Sequence, residues 1–159
     1  VLDVMAFTTR EATEFLSIGM TAMALANIIS QSVIVPYFSI NTTNQISYGA
    51  MFMAVGFAMF LVEPNVILLV FGMMFIGFGL GMNRTGSGAG ASLSVSPQEQ
   101  GSVAGLLSST ATIGTFFIPV IVVPMYQFDS RAPFLFCLIT LATVLYANMR
   151  VKKAGLGQV

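Results

Sequence analysis

The stretch Val66–Val95, VILLVFGMMFIGFGLGMNRTGSGAGASLSV, decides the fold. From Val66 to Met82 every residue is apolar or glycine. A hydrocarbon core about 30 Å thick takes roughly 17–25 such residues as helix. The run lacks the two-residue alternation of a membrane β-strand, because it is apolar on every face. Small and polar residues then carry the helix on to Val95. At about 1.5 Å per residue it is roughly 45 Å long, with its middle near Leu80. Arg84 therefore lies only about 6 Å from that middle.

The rest of the chain agrees with this reading. Its 159 residues are 56% hydrophobic and 8% charged, with mean hydropathy +0.89. A soluble domain carries roughly 25% charge, so this chain cannot coat a water-facing surface. The expectation is an all-α, polytopic membrane protein whose first partner is the lipid bilayer. Six basic residues against six acidic ones leave no basic surface for nucleic acid. There is no His, and the one Cys, Cys137, sits in an apolar run, which removes Cys/His zinc sites, disulfide frameworks and His-based triads. No metal or cofactor is expected. The spans offer no acid–base pair for hydrolysis, so no catalytic residue and no enzyme is expected either.

Five transmembrane spans are predicted, at about 15–38, 46–62, 66–95, 97–124 and 133–148, all in one membrane domain over 1–159. Thr8 and Glu11 read as a capping box opening the first helix early, and Glu63-Pro64-Asn65 stops the second. Ser96-Pro97-Gln98-Glu99 places an N-cap Ser, a first-turn Pro and a Glu at the third position before the fourth. Pro119 and Pro124 are expected to kink that helix. Five spans put the termini on opposite sides. Arg150, Lys152 and Lys153 favour a cytoplasmic C-terminus in a plasma or inner membrane. Asn41-Thr42-Thr43 is a glycosylation pattern that falls in an inner loop and is expected to stay unmodified. The chain begins with Val1 and shows no signal peptide, and it reads as a fragment.

Of the twelve charged residues, Arg84 alone falls neither in a loop nor at a span end. A mid-membrane Arg costs at least about 2.5–3.5 kcal/mol and normally faces a partner or a polar cavity. Asn83, Thr85 and Ser87 stand beside it, with glycines at 77, 79, 81, 86, 88 and 90 around them. Gly77/Gly81 and Gly86/Gly90 have the four-residue spacing that lets helices approach closely. Three readings stay open: Arg84 lines a solute pathway, pairs with a carboxylate on another helix, or stands in a loop at the interface after a helix that ends early. The glycines lack dinucleotide-binding spacing and no strand precedes them. Asn27 and Gln31, four apart in the first span, share a face. They suit either interhelical hydrogen bonding or a ligand. Ser108, Thr112 and Thr115 form a similar stripe whose hydroxyls can bond their own backbone.

The run from Gly79 through Arg84 to Ser96-Pro97-Gln98-Glu99-Gln100-Gly101, followed by Gly105-Leu106-Leu107, resembles the tenth helix and following inner loop of major facilitator superfamily transporters. The drug:proton antiporter branch, with tetracycline-efflux-like members, is the nearest pattern. Asp3 to Phe15 resembles the loop into the eighth helix, and Gln31 falls where that helix often carries Gln. The resemblance implies helices eight to twelve of a twelve-helix transporter, with the seventh helix and the N-terminal half lying outside this chain. It departs from the pattern in having no basic residue from Tyr37 to Gln45 and Ile118-Pro119 where Gly-Pro is common.

What the resemblance implies is a secondary active transporter working by alternating access, most simply proton-coupled efflux linked to multidrug resistance. Arg84, Asn83, Thr85, Asn27 and Gln31 would line its pathway, protons would be the coupling ion, and the solute would be small, with an anionic one well matched to Arg84. Uptake of an organic anion and a non-transporting membrane scaffold are the alternatives.

Overall fold

A computed structural model describes residues 9–38, 40–62 and 65–153 of the chain. Of these residues 89% are helical and none lies in a strand. Helix α1 (Thr9–Ile29) continues through a π-helical turn (Ser30–Ile34) into the short α2 (Val35–Phe38). Then come α3 (Thr42–Met59), α4 (Val66–Leu93), α5 (Gln100–Phe128) and α6 (Ala132–Lys153). Four stretches are long and apolar enough to cross a membrane: Arg10–Phe38, α4, α5 and α6. They suggest a membrane-embedded protein. The remaining predicted span, 46–62, forms α3, whose opening Thr42-Thr43-Asn44-Gln45 turn dilutes its hydropathy.

Local chemistry sets the boundaries. Asn41 accepts from the backbone N–H of Thr43 at 3.0 Å, and Asn65 accepts from that of Ile67 at 2.8 Å, so each caps a helix N-terminus. The Asn41 of the glycosylation pattern thus has a structural task. Thr8 and the Glu63-Pro64 stop lie outside the described residues. The capped turn at Ser96 forms differently from its expectation. Glu99 accepts from the Ser96 N–H at 3.2 Å, as a capping box requires, but the Ser96 hydroxyl also donates to that carboxylate, at 2.7 Å. Residues 97–99 make a turn and regular helix opens only at Gln100. Helix α5 then runs unbroken through Pro119 and Pro124 to Phe128, and α6 continues past Asn148 to Lys153. The apolar stretches end before the helices do, because interfacial residues remain good helix formers.

Helix α4 is the centre of the bundle. On one face Gly72, Gly79 and Gly86, seven residues apart, meet α3, where Gly49 and Gly56 repeat the same spacing. A Cβ on Gly49 would stand 2.7 Å from the Gly79 carbonyl oxygen, and one on Gly56 would stand 2.6 Å from that of Gly72. The two helices run antiparallel, backbone against backbone. The opposite face sets Gly77 against the Met23 carbonyl and Gly81 2.8 Å, from its would-be Cβ, to the Asn27 carbonyl oxygen, so α1 runs parallel to α4. The predicted pair Gly77/Gly81 is therefore a helix contact. Gly86/Gly90 is not one: Gly86 faces α3, and Gly90 has only the Thr42 side chain near it.

Between α3 and α4, Phe52 stacks on Phe75 and meets Phe78 at a tilt, with centroids 5.8 and 4.8 Å apart. Phe60 meets Phe134 of α6 at 5.3 Å. Helix α5 has no buried residue at all.

Two outcomes are expected. Gly79→Ala, whose methyl would meet the Gly49 carbonyl and Met53, lowers stability by about 1–3 kcal/mol. Gly88→Ala, with nothing within 4 Å, is neutral or gains up to about 1 kcal/mol of helix propensity. Unfolding in mixed detergent–dodecyl sulfate micelles reads both. The hydrogen bonds from Ser96 hold the Glu99 carboxyl below its ordinary range. Their contribution to the turn is complete above about pH 4.3, the free glutamate value, and is lost as pH falls through the lower folded value. Carboxyl-carbon NMR should place the Glu99 midpoint below 4.3, and Ser96→Ala should move it upward.

Candidate functional site

The bundle is polar at one end and apolar at the other. At the level of residues 81–87 of α4 it gathers Ser30 and Gln31 of the π-helical turn, Thr43, Gln45 and Ser47 of α3, and Asn148 of α6. Asn148 crosses between helices, donating to the Thr43 carbonyl at 2.8 Å and to the Ser47 hydroxyl at 2.7 Å. Lys152, one turn on, donates to Asn44 at 3.1 Å. In hydrocarbon such bonds fasten helices that have little hydrophobic reason to associate.

Arg84 lies in this layer. Helix α4 passes through it without interruption to Leu93, so the reading in which the helix ends early and leaves Arg84 in a loop is overturned. Its depth along the helix is as expected, about 7 Å past the midpoint. Its surroundings are not the apolar middle, since the neighbouring helices bring their polar turns to the same level. The side chain is exposed and has no hydrogen-bond or ion-pair partner among the described residues. By helical periodicity it shares the α1-facing side of α4 with Gly77 and Gly81.

The other candidates divide. Gln31 donates to Asn27 Oδ1, so the predicted shared face exists and the two amides are half-buried. They satisfy each other along one helix instead of bonding across to a second. Thr85 returns its hydroxyl to the Gly81 carbonyl at 2.9 Å. Asn83 turns away from Arg84 toward α3, where a Cβ on Gly49 would lie 3.3 Å from its own. Ser87 reaches the Asn83 amide oxygen only at 3.5 Å. Asn27, Gln31, Arg84 and Thr85 are thus brought to the α1–α4 side, and Asn83 is not. Thr112 and Thr115 bond the carbonyls of Ser108 and Ala111, as the bland reading of that stripe has it.

Sequence reasoning missed the π-helical turn. Pro36 has no N–H, and its ring would press on the carbonyl four residues back, so the preceding turn widens; Val35 N–H then bonds the Ser30 carbonyl five residues back. A Pro six residues after Ser30 in an otherwise helical run was the available signal. π-turns recur at functional sites. Ser30 itself is fully buried, its hydroxyl oxygen 3.1 Å from where a Cβ on Gly81 would stand and without a partner among the described residues. The Gln45 amide nitrogen donates to the Ile40 carbonyl while its oxygen is likewise buried and unpartnered among the described residues.

Comparison with protein-family models, curated proteins and solved structures finds no match for this chain.

A buried hydroxyl without a partner costs about 1–3 kcal/mol. Ser30→Ala should therefore raise stability in mixed micelles by about 1 kcal/mol. Ser30→Thr, which adds a methyl against Gly81, should lower it.

Proposed function

We propose that the chain supplies helices eight to twelve of a major facilitator secondary active transporter, moving a small solute by alternating access with protons as the coupling ion. Efflux of drug-like or amphipathic solutes is the preferred activity. The observation that supports this most is Arg84, an exposed, unpaired cation on a helix built for close packing. Inside a membrane such a charge calls for a solute, a carboxylate or a watery path. The half-buried Asn27–Gln31 pair on the neighbouring helix and the hydroxyl of Thr85 supply polar surface on the same side of α4.

Helix α3 serves as the fifth span. Its 18 residues rise about 27 Å, close to the hydrocarbon thickness. Parallel α1 and α4 also require the chain to cross back between them. The C-terminus of α6, with Arg150, Lys152 and Lys153, lies on the cytoplasmic side of the plasma or inner membrane. The remaining helices of the transporter, on this reading, cover Arg84 and bring it a membrane carboxylate.

Arg84→Ala, made in the complete transporter, is expected to abolish or redirect transport while the protein still reaches the membrane. Wild-type transport by that variant would remove Arg84 from the pathway, whereas no transport by the unaltered complete protein would favour a non-transporting scaffold. The positive charge suits uptake of an organic anion equally well, and vesicles of known orientation separate accumulation from extrusion.

A further inference from the structure

Three basic residues crowd the last turn of α6, and they face two ways. Lys152 stands one turn from Asn148 on the side toward α3, where its ammonium donates to Asn44. Arg150 and Lys153 lie with Tyr146 at positions i, i+4 and i+7 of another face, which is exposed. Arg150 Nε donates to the Tyr146 hydroxyl at 3.1 Å, with the guanidinium carbon 5.5 Å from the ring centroid. That fixes the guanidinium and leaves its two terminal nitrogens free. Lys153 has no partner among the described residues. Among the described residues neither pairs with a carboxylate: Glu99, the described acid at this end of the bundle, is engaged by Ser96. Arg10, by contrast, is tied to Glu14 at the opposite end.

Below Tyr146 the same face of α6 carries Leu135, Ile139 and Ala142, all exposed. Read along the helix, the order is aliphatic surface, an amphipathic aromatic ring, then two cations about 12 and 16 Å beyond Ala142. A phospholipid has that order in its acyl chain, glycerol region and phosphate. Arg presents a planar fork to phosphate oxygens, and Lys adds a mobile point charge.

We propose that this face of α6 is a binding site for an anionic phospholipid, with Arg150 and Lys153 holding the headgroup phosphate and Tyr146 positioning Arg150. The inference needs the chain to sit in a membrane and is independent of what, if anything, it transports.

The test places the chain in nanodiscs of phosphatidylcholine mixed with phosphatidylglycerol and measures retained lipid by native mass spectrometry, with circular dichroism confirming equal helix content. The wild-type chain retains phosphatidylglycerol preferentially. Arg150→Ala and Lys153→Ala each cut that preference roughly fivefold, and the double variant abolishes it. The charge-keeping pair Arg150→Lys with Lys153→Arg preserves it, as does Lys152→Ala, which removes a charge at the same depth on the other face. A wild-type chain with no preference overturns the proposal, as does a double alanine variant that keeps it. An equal loss in Lys152→Ala also overturns it, because that would mean a diffuse surface potential without a site.

Discussion

Backbone packs directly on backbone in this molecule where Gly49 meets Gly79, Gly56 meets Gly72, and Gly77 and Gly81 meet the carbonyls of α1. Everything else in the bundle depends on those missing side chains. Lipid is as apolar as leucine, so helices in a membrane gain little from burying leucine against each other. What holds them is van der Waals contact, and glycine brings the largest continuous surfaces together. Each helical glycine costs about 1 kcal/mol of propensity relative to alanine. Helix α4 bears that cost repeatedly, on two opposite faces, and so becomes the one helix that both α1 and α3 can touch along their lengths. The seven-residue repeat toward α3 keeps the seam on one side of both helices over several turns, as a 3.5-residue period does in a supercoil.

That close packing brings polar groups to a common level. Because α3 is antiparallel to α4 and to α6, its polar opening turn falls beside Asn83–Ser87 and beside Asn148. The same register sets Phe52 against Phe75 and Phe78 near the middles of α3 and α4, and Phe60 against Phe134 of α6 toward the other end. An Arg placed beside Phe52 and Phe75 would bear the full desolvation cost. Arg84, about two and a half turns beyond Phe75, stands among amides and hydroxyls that can carry water. Helix register, set by the glycines of α4 from Gly72 to Gly86, thus decides how costly that charge is.

Much of this was legible in the sequence. The unbroken apolar run to Met82 gives α4, Asn65 after a Pro gives its start, and the spacing of Asn27 and Gln31 gives their shared face. These features depend on neighbours within a turn or two. The glycine seam was read at the wrong spacing on one side, because Gly86 is equally four residues from Gly90 and seven from Gly79. Only the partner helix chooses between those alternatives. Helix α3 was read as a span from Ile46, yet its helix opens at Thr42, capped by an Asn that sequence pattern assigns to a sugar. The π-helical turn needed Pro36 and the contact of Ser30 with Gly81 to be seen together. Asn83, adjacent to Arg84 in sequence, points to a different neighbour, since successive residues on a helix diverge by about 100°.

Two exposed features carry unequal weight for function. Helix α5 presents an apolar surface along its whole length, but in hydrocarbon such a surface makes no demand, because lipid tails and protein side chains satisfy it alike. Its hydroxyls make none either: Ser109, Thr110, Thr112 and Thr115 all return to their own helix. Arg84 differs in kind. Its guanidinium carries five donors and a charge that neither lipid tails nor its own helix can answer, and α4 gives it no acceptor. Exposure of α5 is therefore compatible with any function, whereas exposure of Arg84 is costly unless something polar meets it. The case for a solute pathway rests on that asymmetry, and it stands or falls with Arg84 alone.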